Sequence, residues 1–171
     1  CYASDITRTW PVSGHYSETQ NVIYEAVELA HHAAIQKCEA GTEYRRVHFE
    51  AVHSLTSSLK DMGVLKGSLE ELLSAEVASY FFPHGVGHLL GLDVHDMEDL
   101  GDLAGYGADR VRDPSRTYRY LRLNLPLEPN MVVTIEPGFY QIPQLLEQAH
   151  QNIPHLIDWD TLRKFSDVRG I

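Results

Sequence analysis

The sequence predicts an α+β fold in which helices pack on one side of a sheet. Residues 2–10 and 118–135 are rich in β-branched and aromatic side chains, whereas residues 17–75 show helical periodicity with capping signals. Since the helices are grouped between the strand-like segments and do not alternate with them, a separate layer of helices is expected to cover the sheet. A length of 171 residues is enough for one such domain with a sizeable core.

The first strand is predicted over residues 2–10, where aromatic and β-branched residues alternate roughly with polar ones. Pro11 and Gly14 end it. An aspartate is unfavourable in a strand, so Asp5 is either an exposed edge residue or a residue with a functional role.

Three helices are predicted to follow. Ser17 and Gln20 form a capping box that starts a helix ending at about Cys38. A second helix covers roughly residues 44–62, and a shorter third helix is capped at residues 68–71. The residues expected to face the core on the two long helices are Val22, Ile23, Ala26, Val27, Ala30, Ala33, Ala34, Val47, Ala51, Leu55 and Leu59.

The C-terminal half is predicted to consist mostly of strands. After a polar loop at residues 98–116, which is expected to be exposed, residues 118–124 alternate again and carry Arg122. Residues 131–135 form an apolar run that ends at Glu136, a carboxylate in an unusual place. Two short helices are expected over residues 144–151 and 160–165.

Residues 80–98 contain three of the ten histidines, His84, His88 and His95. The glycines and the proline among them disfavour a helix and predict an extended segment whose backbone can approach another group closely. Three such histidines with alternating glycines and a nearby acid favour the floor of an active site, because imidazole is the commonest metal ligand and a ready acid–base group. His48, on the second helix, is expected to be solvated or half-buried and to have no role.

The net charge of −10 argues against a nucleic acid or a membrane as partner. A metal ion or a substrate amine fits better, although solubility alone would explain the acidity equally well. The two cysteines, Cys1 and Cys38, form no disulfide framework, and the sequence has neither a membrane-length apolar run nor a signal peptide. A reducing, cytoplasmic location is therefore expected.

Both ends of the chain suggest a piece of a longer protein. The sequence opens at Cys1 within a strand-like segment and without an initiator methionine, and it stops at Ile171 without a polar tail. Further segments are therefore expected on either side.

Asp5, His88 and Glu136 come from three separate strand-like segments. A set of carboxylate and imidazole ligands without a thiolate is typical of bound Mn²⁺, Co²⁺, Fe²⁺ or Zn²⁺ and not of a structural zinc site. From the residues alone, a metallohydrolase is a hypothesis, and no more specific function follows.

Three stretches carry a resemblance to a known family: Ala-Ser-Asp-Ile-Thr-Arg-Thr, His-Gly-Val-Gly-His-Leu-Leu-Gly-Leu-Asp-Val-His-Asp and Thr-Ile-Glu-Pro-Gly-Phe-Tyr. In this order, from Tyr2 to Ile171, they closely resemble the proline-specific metallopeptidases of the pita-bread fold. The resemblance implies that residues 1–171 are part of a catalytic domain in which helices pack on a curved antiparallel sheet. It also implies that an N-terminal domain and both terminal strands of that domain lie outside this sequence.

The resemblance further implies two divalent cations, Mn²⁺ above all, with Co²⁺, Zn²⁺ or Fe²⁺ as alternatives, held by two Asp, one His and two Glu. On the matching positions Asp5 is the second Asp, His88 the His and Glu136 the first Glu. The other two ligands would lie before Cys1 and after Ile171, so this chain alone is expected to bind metal weakly and to show little activity.

Within the family, the sequence looks most like the Xaa-Pro dipeptidases (prolidases), which implies hydrolysis of Xaa-Pro dipeptides by a metal-bridged hydroxide. Arg122 matches the arginine that clamps the dipeptide carboxylate, a role that suits a guanidinium fork. A surface arginine on a strand is the alternative. The resemblance also implies that Glu136 is the general base, that His95 binds the oxyanion or the substrate, and that His84 lines the proline pocket.

Two other functions remain open. An Xaa-Pro aminopeptidase would act on longer peptides, and a non-catalytic pita-bread domain would bind peptides or proteins. The retained residues Asp5, His88, His95 and Glu136 speak against the non-catalytic alternative. A homodimer and a short Xaa-Pro peptide as the substrate are expected from the resemblance only.

Overall fold

Two long helices dominate the computed structural model, which describes residues 1–171. Helix α1 spans Glu18–Gln36 and helix α2 spans Tyr44–Asp61, close to the predicted bounds. The predicted capping box is confirmed: the N–H of Gln20 donates to Ser17 Oγ at 3.2 Å, and the N–H of Ser17 donates to Gln20 Oε1 at 3.0 Å. This reciprocal pair satisfies two N–H groups that have no partner within the helix.

Helices α1 and α2 pack against each other through most of the apolar residues that the sequence predicts, although Val22, Val27 and Ala33 are only partly buried. The face of α1 is largely alanine, so the two helix axes can approach closely, and the face of α2 carries branched side chains. The buried residues of these faces are Ile23, Ala26, Ala30 and Ala34 on α1 and Val47, Ala51, Leu55 and Leu59 on α2. The same core includes Phe81 and Phe139, whose rings stack at 5.5 Å.

Short helices and 3-10 turns make up the other regular elements. The helices are α3 (Leu69–Ser74), α4 (Asp102–Tyr106), α5 (Pro143–Asn152) and α6 (Trp159–Arg163), and the 3-10 turns span Val77–Tyr80, Glu98–Leu100 and Pro154–Leu156. The predicted cap of α3 is confirmed, because the N–H of Glu71 donates to Ser68 Oγ at 3.1 Å. None of the helices combines the length and the apolar composition that a membrane-spanning segment requires.

The predicted strands do not form a continuous sheet. The structure contains isolated antiparallel bridges only, at Glu43–Pro126, Leu65–Ile157, Leu89–Val133 and Tyr140–Gly170. The strand predicted over residues 2–10 is wrong: its one backbone–backbone hydrogen bond, of 2.8 Å, runs from the N–H of Ala3 to the carbonyl of Gly91. β propensity alone cannot form a strand where no neighbouring segment lies alongside to pair with it.

The strand predicted over residues 118–124 is also wrong, because its first backbone groups take part in a turn. The N–H groups of Tyr118 and Arg119 both donate to the carbonyl of Ser115, at 3.2 and 2.9 Å. The Glu76 carboxylate accepts from the two N–H groups just before them, at 3.1 and 2.9 Å. These local bonds leave the segment unable to pair as a strand.

The loop predicted over residues 98–116 is largely exposed, as expected, but it contains α4 and one buried anchor. Tyr106 is 1% exposed, and its hydroxyl donates to the carbonyl of Leu121 at 2.6 Å. The anchor ties this loop to the segment that carries Arg122.

Residues 86–90 and 132–136 lie side by side in antiparallel register. Three backbone hydrogen bonds of 2.7–3.0 Å join them. Where a regular ladder would have another such bond, the N–H of His88 donates to the hydroxyl of Thr134 at 3.0 Å. The carbonyl of Thr134 already accepts from Tyr44 Oη at 2.5 Å. Because of this exchange of partners, the two segments form a single bridge, between Leu89 and Val133, and not a longer ladder.

His48, expected to be solvated or half-buried, is in fact buried in the core, with 1% of its surface exposed. Its Nδ1 accepts from the N–H of Val86 at 3.1 Å, and its Nε2 donates to the carbonyl of Thr117 at 2.7 Å. Because a backbone N–H faces Nδ1, the ring is neutral with its proton on Nε2. Burial, only partly opposed by the Thr117 carbonyl, lowers the pKa of His48 to about 4.

This depressed pKa predicts a stability that depends on pH. The unfolded chain, with an ordinary histidine pKa of 6.5, takes up the proton before the folded chain does. The contribution of His48 to the free energy of unfolding is therefore complete above pH 6.5 and is lost as the pH falls toward about 4. The total loss is about 3 kcal/mol at most.

Denaturant unfolding between about pH 4.5 and 7 measures the slope of the free energy of unfolding against pH. His48→Gln cannot titrate, so its slope is expected to be smaller than that of the wild type. His53→Gln, half-buried on the same helix, is the control and is expected to keep the slope. An equal slope in His48→Gln and the wild type would contradict the account.

Candidate metal centre

Asp5, His88 and Glu136, which are distant in the sequence, meet at one point of the structure. Nε2 of His88 lies 3.3 Å from Asp5 Oδ2 and 3.1 Å from Glu136 Oε1. One potential ligand atom from each of the three residues lies within 4.8 Å of the other two. These atoms are close enough together to contact one shared ion.

A close backbone approach brings His88 and Glu136 together. A Cβ atom on Gly87 would lie 2.1 Å from the carbonyl oxygen of Thr134 and 2.5 Å from Tyr44 Oη, so only glycine fits there. The alternating glycines predict an approach of this kind, and the structure identifies the segment around Thr134 as the neighbour. Helix α2 supplies Tyr44 and thereby connects the core to the site.

Thr134 links the two neighbouring ligand residues directly. Its hydroxyl accepts from the N–H of His88 at 3.0 Å and donates to Glu136 Oε1 at 2.8 Å. Thr134 is 8% exposed, so water competes little for these contacts. The hydroxyl therefore fixes the backbone of His88 and the direction of the Glu136 carboxylate at the same time.

The ring of His88 presents a lone pair to the two carboxylates. Its Nδ1 lies 2.8 Å from the carbonyl of Leu89, so the proton of the neutral ring lies on Nδ1 and Nε2 carries none. Nε2 is buried and has no hydrogen-bond partner. A lone pair beside the carboxylates of Asp5 and Glu136 is unfavourable unless a cation lies between them. A backbone carbonyl on the second ring nitrogen is also typical of metal-binding histidines, so these residues fit a divalent cation.

The pKa values at this point favour a positive charge. Burial lowers the pKa of His88, but the Glu136 carboxylate, the Leu89 carbonyl and the charge of Asp5 outweigh burial and raise it. Burial raises the pKa of Glu136, but His88 and the hydroxyl of Thr134 outweigh burial and lower it. A proton and a metal ion would therefore compete for Nε2, as is usual at sites of this kind.

The other predicted site residues lie close by. His84, His88 and Arg122 line a cavity of about 360 Å³. Nε2 of His84 lies 3.2 Å from Tyr140 Oη. His95 is at the edge of the same region, with its ring 4.4 Å from that of His88 and its Nδ1 3.4 Å from Arg122 Nη1. The structure thus brings all the residues singled out from the sequence into one region.

Three residues of this region were not predicted: Thr134, Glu98 and His48. Thr134 precedes Glu136 by two residues in an extended run. This spacing puts both side chains on the same face, so it could have indicated Thr134 as a neighbour of Glu136. Nothing in the sequence points to the contact between Glu98 and Arg122, because it depends on the path of a loop. The contacts of His48 depend on which distant segments pack against α2.

Comparison with known proteins gives the family. The chain belongs to metallopeptidase family M24, whose model matches residues 1–167. It is 37% identical over 173 residues to a probable Xaa-Pro aminopeptidase of Botryotinia fuckeliana, an alignment that covers 100% of this chain and 36% of that protein. It is 41% identical over 172 residues to an Xaa-Pro dipeptidase of Stenotrophomonas maltophilia, with 99% of this chain and 38% of that protein covered.

A solved structure supports the same relationship. Zinc-substituted aminopeptidase P of Escherichia coli in complex with product superposes with a TM-score of 0.66 at 36% identity, covering 84% of this chain and 28% of that one. The chain therefore has the pita-bread fold of aminopeptidase P, as its motifs imply, although the sheet is reduced to isolated bridges. It spans only 36–38% of the length of the two relatives compared above.

Replacement of Thr134 tests the link between the ligands. Thr134→Val keeps the side-chain shape but leaves the buried N–H of His88 without a partner and frees the Glu136 carboxylate. The free energy of unfolding is expected to fall by about 1–3 kcal/mol. Denaturant titration measures this change, and Thr134→Ser, which keeps the hydroxyl, is expected to retain most of the stability. Equal losses in both variants would assign the effect to packing and not to the hydroxyl.

Proposed function

We propose that the protein hydrolyses the peptide bond before proline in Xaa-Pro dipeptides with the help of divalent metal ions. The observation that carries this proposal is the cavity that His88 shares with Arg122. A cation site and a guanidinium in the same cavity match a short peptide whose scissile carbonyl and terminal carboxylate are one residue apart. Membership of the metallopeptidase family and a relative named Xaa-Pro dipeptidase support it.

Asp5, His88 and Glu136 are the proposed ligands. A divalent cation held by them supplies Lewis-acid chemistry, because it lowers the pKa of a water molecule and polarises the substrate carbonyl. The set of two carboxylates and one imidazole suits Mn²⁺, with Co²⁺, Zn²⁺ or Fe²⁺ as alternatives. A second ion, implied by the family resemblance, would need carboxylates in addition to these three residues.

Glu136 is proposed as the general base. Its contacts with Thr134 and His88 both use Oε1, so Oε2 is available to take a proton from the attacking water. A glutamate carboxylate is ionised near neutral pH and can accept that proton. The nitrogen of the substrate proline carries no hydrogen and must be protonated before it leaves, and Glu136 delivers the proton there.

His95 and His84 are proposed to contact the substrate. His95 lies beside His88 with its ring half-exposed, so it can donate a hydrogen bond to the oxyanion that develops at the scissile carbonyl. His84 meets the rings of Phe82 and Tyr140 edge-on, at 4.8 and 5.5 Å between centroids. This aromatic wall suits the apolar ring of proline.

Xaa-Pro aminopeptidase activity on longer peptides is the second candidate. A relative with that name is 37% identical over the whole chain, and the aminopeptidase P of Escherichia coli compared above is similar in structure. The choice between the two depends on whether Arg122 meets a terminal carboxylate, which only a dipeptide places there.

Further parts of the proposal follow from the family resemblance. The isolated bridges would belong to a curved antiparallel sheet in a larger catalytic domain, and the intact protein would be a cytoplasmic homodimer. Short Xaa-Pro peptides would be its partners, and the net charge of −10 disfavours nucleic acid as a partner.

Hydrolysis of Ala-Pro by the intact protein tests the proposed function. The kcat/KM for Ala-Pro is expected to exceed that for Ala-Pro-Ala by about tenfold or more, because only the dipeptide offers its carboxylate to Arg122. A chelator is expected to abolish the reaction and Mn²⁺ to restore it. Faster cleavage of the longer peptide would favour the aminopeptidase, and cleavage of neither would contradict both functions.

Replacement of Arg122 tests the carboxylate contact separately. Arg122→Ala is expected to raise the KM for Ala-Pro by about 10- to 100-fold, because a charge-assisted contact is lost. Bound metal, measured by elemental analysis, is expected to stay the same, as is the KM for Ala-prolinamide, which lacks the carboxylate. Arg46→Ala, an exposed position on α2, is the control. Unchanged kinetics for Ala-Pro would remove Arg122 from the site.

A further inference from the structure

The guanidinium of Arg122 is already paired with a carboxylate of the protein itself. Its Nη1 donates to Oε2 of Glu98, and the same Oε2 lies 3.6 Å from Nδ1 of His95. The side chains of Arg122 and Glu98 are 44% and 33% exposed, and both line the cavity described above. A ligand in this cavity therefore meets Arg122 and Glu98 together.

This pairing is incomplete on both sides. Oε1 of Glu98 is buried and has no hydrogen-bond partner, so a desolvated carboxylate oxygen is left uncompensated. On Arg122, the hydrogen-bond contacts involve Nη1 only. Glu98 and Arg122 thus make one contact where a carboxylate and a guanidinium can make two parallel ones.

Arg112, which lines the same cavity, is bound quite differently. Its Nε and Nη2 donate to the Asp102 carboxylate at 2.7–3.2 Å, and its Nη1 donates to the carbonyl of Leu121 at 2.6 Å. Its guanidinium also lies 5.0 Å from the ring centre of Tyr106. Since Arg112 is fully engaged, Arg122 is the cation whose protein partner an incoming carboxylate can replace.

We propose that Glu98 is an internal competitor for the substrate carboxylate: it occupies Arg122 until the terminal carboxylate of a dipeptide replaces it. This inference rests on the proposed role of Arg122 and adds the residue that sets the affinity there. The substrate can form the two-contact pair with Arg122, and the released Glu98 regains water at Oε1. The same competition displaces the product proline, whose carboxylate binds Arg122 in the same way.

Glu98→Gln in the intact protein removes the charge and keeps the size of the side chain. Two constants are each expected to fall about fivefold: the KM for Ala-Pro and the Kd for L-proline, measured by calorimetry. The size of the change follows from the half-exposed ion pair with Arg122, which the ligand no longer has to break. The KM for Ala-prolinamide, which has no carboxylate, is expected to change less than about twofold.

Two further variants isolate the effect. Asp99→Asn removes the same charge from the exposed neighbouring residue and is expected to leave both constants unchanged. In an Arg122→Ala background, Glu98→Gln is expected to leave the Kd for L-proline unchanged, because the group for which Glu98 competes is absent.

A rise in the KM for Ala-Pro in Glu98→Gln would overturn the inference, since Glu98 would then hold Arg122 in place for the substrate. Equal changes for Ala-Pro and Ala-prolinamide would overturn it as well. Failure of the proposed function differs from both, because the wild-type protein would then cleave neither compound. In that case the Kd for L-proline still tests the inference. An equal Kd in Glu98→Gln and the wild type would overturn it.

Discussion

The contact between the backbones of Gly87 and Thr134 holds the site together. It needs a residue without a side chain on one strand-like segment and a carbonyl bound by Tyr44 on the other. Because Tyr44 opens helix α2, the packed helix pair sets the position of His88 relative to Glu136. A buried core that tolerates little displacement thus fixes the distance between two ligand residues.

Two groups of charged or polar side chains lie near this contact, and each can bind an ion of one sign. The buried lone pair of His88 faces Asp5 and Glu136, an arrangement that becomes favourable when a cation is shared among them. In the cavity that His88 also lines, Arg122 and Glu98 form the reverse arrangement, because the guanidinium of Arg122 can bind an anion. A peptide with a polar carbonyl and a terminal carboxylate is complementary to both, which connects the geometry with the proposed reaction.

The helices could be predicted closely because their signals are local. Ser17 with Gln20 and the apolar periodicity of α2 act over a few residues, and both are confirmed. The strands could not be predicted in this way, because strand pairing depends on segments that are distant in the sequence. Residues 2–10 form one backbone hydrogen bond with another segment, and the first residues of 118–124 form a turn with Ser115. In the site, Asp5 could be singled out because it lies among β-branched and aromatic residues, although these form no strand. A threonine such as Thr134 is unremarkable until the chain is folded.

The most direct measurement is anomalous diffraction at the manganese edge from crystals of the intact protein soaked in Mn²⁺. A metal shared by Asp5, His88 and Glu136 predicts an anomalous peak contacted jointly by the two carboxylates and by Nε2 of His88. Peaks found only elsewhere, with Nε2 of His88 bonded to protein or water, would contradict the account.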